Sequence, residues 1–215
     1  MPVPKMKIYT EEKAERFLKP LPVARSALVK DIKGAREASK RIKYPLVLKI
    51  ISPKALHKTE IGGVAVVKSA DELEAAFNNL IKIAKKKRIK LTGIYVQEFV
   101  SGKEIIIGIK RDPTFGHALM LGIGGKYVEL MRDVTFRICP ITEKDAEKMI
   151  SELRYAQLLT GFRGDKGINM DILKKTLVSV SKLPQKHKKL EELDINPFII
   201  DDRRGKIVDA RAAFV

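Results

Sequence analysis

The sequence predicts an α/β (α+β) chain of two lobes, and three observations carry that expectation. Up to about Thr92, segments with apolar residues at helical spacing alternate with segments at strand spacing. From Thr92 to Ile138, strand patterns succeed one another, broken by Gly and Pro turns. Two further helical patterns follow, and the chain closes on an apolar hairpin. With 215 residues and 45% hydrophobic content, it can bury a core as one two-lobed domain or two small ones. The expected division is a smaller lobe at 21–95 and a larger one at 96–215, with 1–20 as a segment to pack on the latter.

In order, 10–19 and 31–43 read as helices. Pro45 drives Tyr44 towards extended backbone, so the second helix stops and Leu46-Val47-Leu48-Lys49-Ile50-Ile51 starts a strand. Residues 63–68 read as the next strand. Ser69 and Glu72 have capping-box spacing and open a helix whose Leu73, Ala76, Phe77, Leu80, Ile81 and Ala84 share one face. Strands are expected at 92–100, 104–110, 117–121, 127–131 and 134–138, then helices at 143–154 and 170–183. In the final hairpin, Asp194 and Asn196 point one way while Ile195 and the run Phe198-Ile199-Ile200 supply packing. The polar cluster Asp201-Asp202-Arg203-Arg204, closed by Gly205, is turn chemistry. A loop centred on Asp202-Arg203 sets Asn196 opposite Asp209, and a bulge at Gly205 would break that register.

Composition narrows the function classes. No run of 18 or more apolar residues occurs, and Met1-Pro2-Val3-Pro4-Lys5 lacks a signal-like apolar stretch, so a soluble, cytoplasmic protein is expected. The one cysteine, Cys139, can form neither an intrachain disulfide nor a metal cluster and reads as a small buried hydrophobe. A net charge of +17 favours anionic partners. The basic residues are spread over many segments, aromatic residues are not interleaved with them, and no nucleic-acid-binding signature is present. Nucleic acid is therefore the weaker reading. Lys-rich runs also suit solvated helix ends and a heat-adapted surface.

Candidate chemistry collects in a few places. Asn196 and Asp209, directly opposed, put Cβ atoms roughly 4.5–5.5 Å apart. Two or three oxygen ligands with open positions suit Mg²⁺ shared with phosphates. The competing reading is an acidic turn facing water. Lys49, ending an apolar strand, must send its ammonium to water, a carboxylate or a phosphate. In His57-Lys58-Thr59-Glu60-Ile61-Gly62-Gly63, the paired glycines allow backbone N–H groups to close on an anion, or simply make a tight turn. Glu98, Phe99 and Val100 offer backbone groups to a purine edge, and Glu104 can accept from ribose hydroxyls or stand as an exposed strand carboxylate. Arg137 can neutralise a transferring phosphoryl group or pair with Asp133 or Glu129. His117 and His187 read as structural.

Leu46 to Val64, Gln97 to Pro113, Gly122 to Pro140, Gly161-Phe162-Arg163-Gly164, and Leu193-Asp194-Ile195-Asn196-Pro197 onward to Ala210 together resemble the ATP-grasp β subunit of ADP-forming acyl-CoA synthetases. More distantly they resemble the ATP-grasp part of succinyl-CoA synthetase. The resemblance spans essentially the whole chain. It implies one ATP-grasp domain over 1–215, with nucleotide bound between its two lobes. It also implies an acid-thiol ligase that interconverts acyl-CoA, ADP and phosphate with carboxylate, ATP and CoA through a phosphohistidine. A CoA-binding α subunit, in an α₂β₂ heterotetramer, is the implied partner. Onto matching positions it carries Lys49 to the phosphates, beside which Lys58 and the glycine pair read from their residues as a phosphate clamp, Gly62 and Gly63 to the covering loop, and Glu98, Phe99, Val100 and Glu104 to adenosine. Asn196 and Asp209 fall to Mg²⁺, and His57 to the relay between the α-subunit histidine and the nucleotide. A neutral imidazole is nucleophilic near neutral pH, which suits that role. The alternatives are another ATP-grasp ligase that forms an acyl phosphate directly, and a basic RNA-binding or scaffold protein.

Overall fold

The computed structural model describes residues 6–10, 12–52, 61–125, 133–161, 164 and 166–215. The strand expected at 127–131, His57 and Lys58 lie outside these residues. The chain divides into two compact units: Met1–Val23 with Val100–Val215, and Ala24–Phe99 inserted between them.

The first unit opens with strand β1 (Lys7–Thr10) and helix α1 (Glu12–Leu18). The inserted unit follows, with β2 (Ser26–Val29), α2 (Ile32–Ile42), β3 (Leu46–Ile51), β4 (Val64–Val67), α3 (Ala70–Lys86) and β5 (Gly93–Glu98). Its four strands form an antiparallel sheet in the order β2-β5-β3-β4. Alternation along β3 sends Leu46, Leu48 and Ile50 into a core with Ala35, Ala38 and Ile42 of α2 and Leu73, Phe77, Leu80 and Ala84 of α3. Asp31 caps α2 by accepting from the Gly34 amide. The expected capping box on α3 is not formed: Ser69 makes no side-chain cap bond, and the Glu72 carboxylate instead accepts from the Lys68 amide at 2.7 Å.

The chain returns to the first unit with β6 (Lys103–Asp112), β7 (Gly116–Ile123), β8 (Val134–Ile138) and α4 (Glu143–Ser151). Then come α5 (Gln157–Thr160), α6 (Met170–Ser181), α7 (Leu183–Lys186), β9 (Leu190–Ile200), β10 (Gly205–Ile207) and β11 (Ala210–Phe214). The sheet runs β1-β11-β9-β6-β7-β8, with β10 also on β9. One face packs Ile105, Ile107, Ile109, Leu119, Leu121, Leu193 and Ile195 against α1, α4 and α6. Between Ile195 and Phe198, β9 carries one more residue than β6, a bulge at Asn196-Pro197. It lets Leu193 and Ile195 on one side, and Phe198 and Ile200 on the other, all reach that core.

Sequence and structure differ at several places. Two four-residue strands, β1 and β2, have no counterpart among the expected elements. The helix expected at 170–183 is α6, followed directly by the short turn of α7. The unit boundaries fall after Val23 and after Phe99, against the expected 20/21 and 95/96. Cys139 is half-buried, and burial pushes its thiol up to about 11. A ring nitrogen of His117 lies 2.6 Å from the Leu190 carbonyl oxygen, and His187 sits edge-on to Phe17, structural positions for both. No described helix is long and apolar enough to cross a membrane.

Candidate functional site

In the larger unit, the expected hairpin register is present. Gly205 pairs with Ile200, Lys206 with Ile199 and Ile207 with Phe198, without a bulge at Gly205. The Asp201 carboxylate holds the turn by accepting from the amides of Arg203 and Arg204 at 2.8 and 2.7 Å. The ladder continues past β10: the Val208 amide donates to Pro197 O at 3.0 Å, and the Asn196 amide donates to Asp209 O at 3.1 Å. Asn196 and Asp209 are therefore cross-strand neighbours, and Ala210 opposite Ile195 resumes the core row. Asn196 is exposed and Asp209 half-buried.

Paired residues of an antiparallel sheet share a face. Across this one, Arg211, Asp194, Gly108, Met120 and Phe136 stand in a row on the side away from α4 and α6. Burial raises the Asp194 carboxyl above its ordinary value, and the negative charges of Glu192 and Asp209 raise it further, against the opposing charge of Arg211. The carboxyls of Asp194 and Asp209 thus lie on one face beside the exposed Asn196. Among the described residues, no group of three or more His, Cys, Asp or Glu forms an all-protein metal cage. Few protein oxygens plus open positions are what Mg²⁺ takes when phosphates complete its shell, so the donor set fits.

Gly108 was not singled out by sequence reasoning. A Cβ there would meet Met120 Cε at 3.2 Å, so the glycine makes room for the Met120 side chain beside Asp194. A lone Gly inside a strand pattern is the signal that could have found it. Glu104 is exposed on β6, and its carbonyl accepts from the Gly124 amide. A Cβ on Gly124 would lie 2.8 Å from Glu104 backbone and side-chain atoms, which ties this residue of the Gly122-Ile123-Gly124-Gly125 run to the strand.

Arg137 does not join this face. It pairs with Leu119, a core residue, and so points to the helix side. There its guanidinium bonds Glu152 at 2.5 Å and the Phe136 carbonyl at 2.8 Å. The Glu152 partner holds the guanidinium above its ordinary value. The ion-pair alternative is what the structure holds, though not with Asp133, whose carboxylate instead accepts from the amides of Arg154 and Tyr155. Glu129 lies outside the described residues.

In the inserted unit, Lys49 stands on the sheet face away from α2 and α3, opposite Val64 on β4 and Tyr95 on β5. It is only 9% exposed, and Tyr95 and Gln97 on the same face are buried too. Gly63, buried, accepts from the Ile50 amide at 2.8 Å; Gly62 is exposed with φ +71°, backbone that favours glycine. Glu98 is partly committed elsewhere: its carboxylate takes the Arg25 amide at 2.9 Å and the Arg25 Nε at 3.0 Å. The Glu98 and Phe99 amides donate to Arg25 O and Pro45 O. Among the described residues, no backbone carbonyl accepts from the Val100 amide.

The chain matches the protein family described as an ATP-grasp domain over residues 5–213. It is 41% identical over 209 residues to a 4-hydroxybutyrate–CoA ligase (ADP-forming) of Nitrosopumilus maritimus, covering 94% of this chain and 30% of that protein. It is 37% identical over 207 residues to the acetate–CoA ligase (ADP-forming) I subunit beta of Pyrococcus furiosus, covering 94% and 89% respectively. The chain thus spans under a third of the first relative and nearly all of the second. Among solved structures, it resembles a dinucleotide-forming acetyl-coenzyme A synthetase 1 of Ca. Korarchaeum cryptofilum. In complex with coenzyme A, Ca-AMPCP and HgCl⁺, that protein superposes with a TM-score of 0.92 at 39% identity, over 97% of this chain and 94% of that one. With coenzyme A and Mg-AMPPCP, its phosphohistidine segment pointing towards the nucleotide binding site, the TM-score is 0.86 at 38% identity, over 97% and 93%.

Proposed function

We propose, from the premise that this chain belongs to the ATP-grasp family, that it is the nucleotide-binding β subunit of an ADP-forming acyl-CoA synthetase. Its reaction is acyl-CoA + ADP + phosphate giving carboxylate + ATP + CoA, with the phosphoryl group carried on histidine. The observation that carries this reading is the open face of the larger unit, where Asn196 opposes Asp209 beside the burdened carboxyl of Asp194. Similarity over nearly the full length of a chain named subunit beta, and to a synthetase solved with Mg-AMPPCP, supports it.

In this reading, Asn196 and Asp209 hold Mg²⁺, which when bound offsets the charge of the nucleotide phosphates. Lys49 and Lys58 address those phosphates, and the Gly62-Gly63 turn brings backbone close to them. The carbonyls at Glu98 and Phe99 and the Val100 amide take the adenine edge, and Glu104, exposed on its strand, accepts from ribose. His57 accepts the phosphoryl group from the partner's phosphohistidine at an imidazole nitrogen and passes it to the terminal oxygen of ADP, each P–N bond breaking as the next bond to phosphorus forms. Arg137, tied to Glu152 on the helix side, is not assigned to this chemistry. The CoA and acyl sites belong to an α subunit, so the assembly is α₂β₂.

The test is calorimetric titration of the purified chain with ADP and ATP, with and without Mg²⁺, beside Asp209→Ala. Mg²⁺-dependent binding that Asp209→Ala weakens at least tenfold is the expected result. Binding that ignores both Mg²⁺ and the substitution would sink the metal assignment. With the α subunit added, His57→Ala should abolish turnover yet keep nucleotide binding; full turnover would favour a ligase that makes its acyl phosphate directly.

A further inference from the structure

A groove lies in the larger unit, lined by none of the residues assigned above. Its volume is about 430 Å³, and it runs between the Pro20-Leu21-Pro22 segment and the helices α6 and α7. Leu21, Ile172 and Leu183 give it an apolar lining. Lys175, Lys182 and Lys186 stand on its rim, with Ser179 between them. Their spacing of seven and four residues places all three lysines along one side of α6 and its continuation into α7. All three are exposed.

The rim lysines are open to solvent. Lys174, on another side of α6, is satisfied by Asp171 at 3.0 Å and by the charges of Glu147 and Glu143. Among the described residues, Lys175, Lys182 and Lys186 form no ion pair of this kind. A helix C-terminus attracts cations and accounts for Lys182, which ends α6. Lys175, in the middle of that helix, feels the charge of Asp171 one turn before it but forms no ion pair with it.

An apolar slot rimmed by three exposed lysines fits an acidic chain segment that also carries an apolar side chain. A second copy of this protein is a poor occupant, because two chains of net charge +17 repel. Nucleic acid is disfavoured because no aromatic side chain lines the groove to stack a base. We propose that the groove docks an acidic segment of the CoA-binding partner subunit. One apolar side chain of that segment seats between Leu21 and Ile172, and its carboxylates lie against Lys175, Lys182 and Lys186. This rests on the function proposed above, which requires such a partner, and it adds where and by what chemistry the partner is held.

The experiment is a binding titration between this chain and the purified CoA-binding subunit of the same organism. The wild type is compared with Lys175→Glu/Lys182→Glu/Lys186→Glu. A control carries the same charge change on the other unit, Lys85→Glu/Lys86→Glu/Lys87→Glu. The groove variant should bind the partner at least tenfold more weakly, the control within about threefold, and added salt should weaken the wild type more than the groove variant. Mg-ADP binding by the groove variant, unchanged from wild type, shows that its fold is kept. The proposal is overturned if the groove variant binds within twofold of wild type, if both variants weaken alike, or if the wild type does not bind the partner at all. Loss of Mg-nucleotide binding by the wild type itself would instead strike the function reading.

Discussion

Asp194 is where the geometry of the sheet and the chemistry of the site meet in one residue. Its backbone is fixed between Gly108 and Arg211, while its side chain is held beside Glu192 and Asp209. Burial comes first among the causes that raise its carboxyl, and the two neighbouring negative charges follow. The folded state therefore binds this proton more tightly than the unfolded chain. Stability from this residue is greatest while it is protonated in both states, and falls as pH rises from the ordinary carboxylate value through the raised one. Asp194→Asn removes the charge and keeps the shape. Without metal, its urea midpoint at neutral pH should lie above that of wild type, and the gap should close at a pH below the ordinary carboxylate range. Saturating Mg-ADP should narrow the neutral-pH gap, because the cation offsets the same charge in the wild type. A midpoint below wild type at neutral pH would show that the carboxylate is already stabilised by its surroundings. Arg137 gives the opposite lesson, since its charge is taken up by Glu152 on the other face. A residue suited to phosphoryl chemistry by type can thus be spent on holding a strand to a helix.

At the scale of elements, two capping signatures of similar appearance behave differently. On α4, Thr142 accepts from the Asp145 amide and Asp145 accepts from the Thr142 amide, so both donors are satisfied. On α3, Ser69 makes no such bond and Glu72 reaches the amide of Lys68 instead. Thr142→Ala should cost about 0.5–2 kcal/mol in urea unfolding, whereas Ser69→Ala should stay within about 0.5 kcal/mol. Equal losses would contradict the geometry. Elements were legible in the sequence where the signal is local and long: α3 from its apolar stripe, and the last hairpin from a polar loop closed by Gly205. They were not legible where the cause is distant. Lys7–Thr10 and Ser26–Val29 are four residues each, too short to show a period, and are strands because β11 and β5 offer them edges. In β8, the alternation misleads outright. Val134, Phe136 and Ile138 look like its inward side, yet Phe136 is 55% exposed, while Thr135 and Arg137 face the helices because they oppose Leu121 and Leu119. The Asn196–Asp209 pairing could be read because a hairpin fixes its own register; the position of Arg137 depended on a neighbouring strand.

For the whole molecule, the decisive fact is that the chain builds two hydrophobic cores that share no buried residue. It leaves the larger unit after Val23 and returns at Val100, so the smaller core is made entirely from one continuous insertion. The larger core is closed by its own chain ends, since β1 pairs with β11. The strands of the inserted unit all come from one continuous stretch, whereas the larger unit pairs strands far apart in the sequence. Separate cores predict separable stabilities. Leu48 is fully buried in the smaller core and Leu193 nearly so in the larger. Each Leu→Ala substitution should cost about 2–5 kcal/mol through lost burial and the cavity left behind. Native-state hydrogen exchange then reads where the loss falls. Leu48→Ala should speed exchange of slow amides within residues 24–99 and leave those of β6 and β9 close to wild type. Leu193→Ala should do the reverse, with the slow amides of β3 and β5 holding their protection. If either substitution instead lowers protection in both units by the same amount, the cores unfold as one cooperative body, and continuity of the chain at Val23 and Val100 couples them more strongly than their separate packing implies.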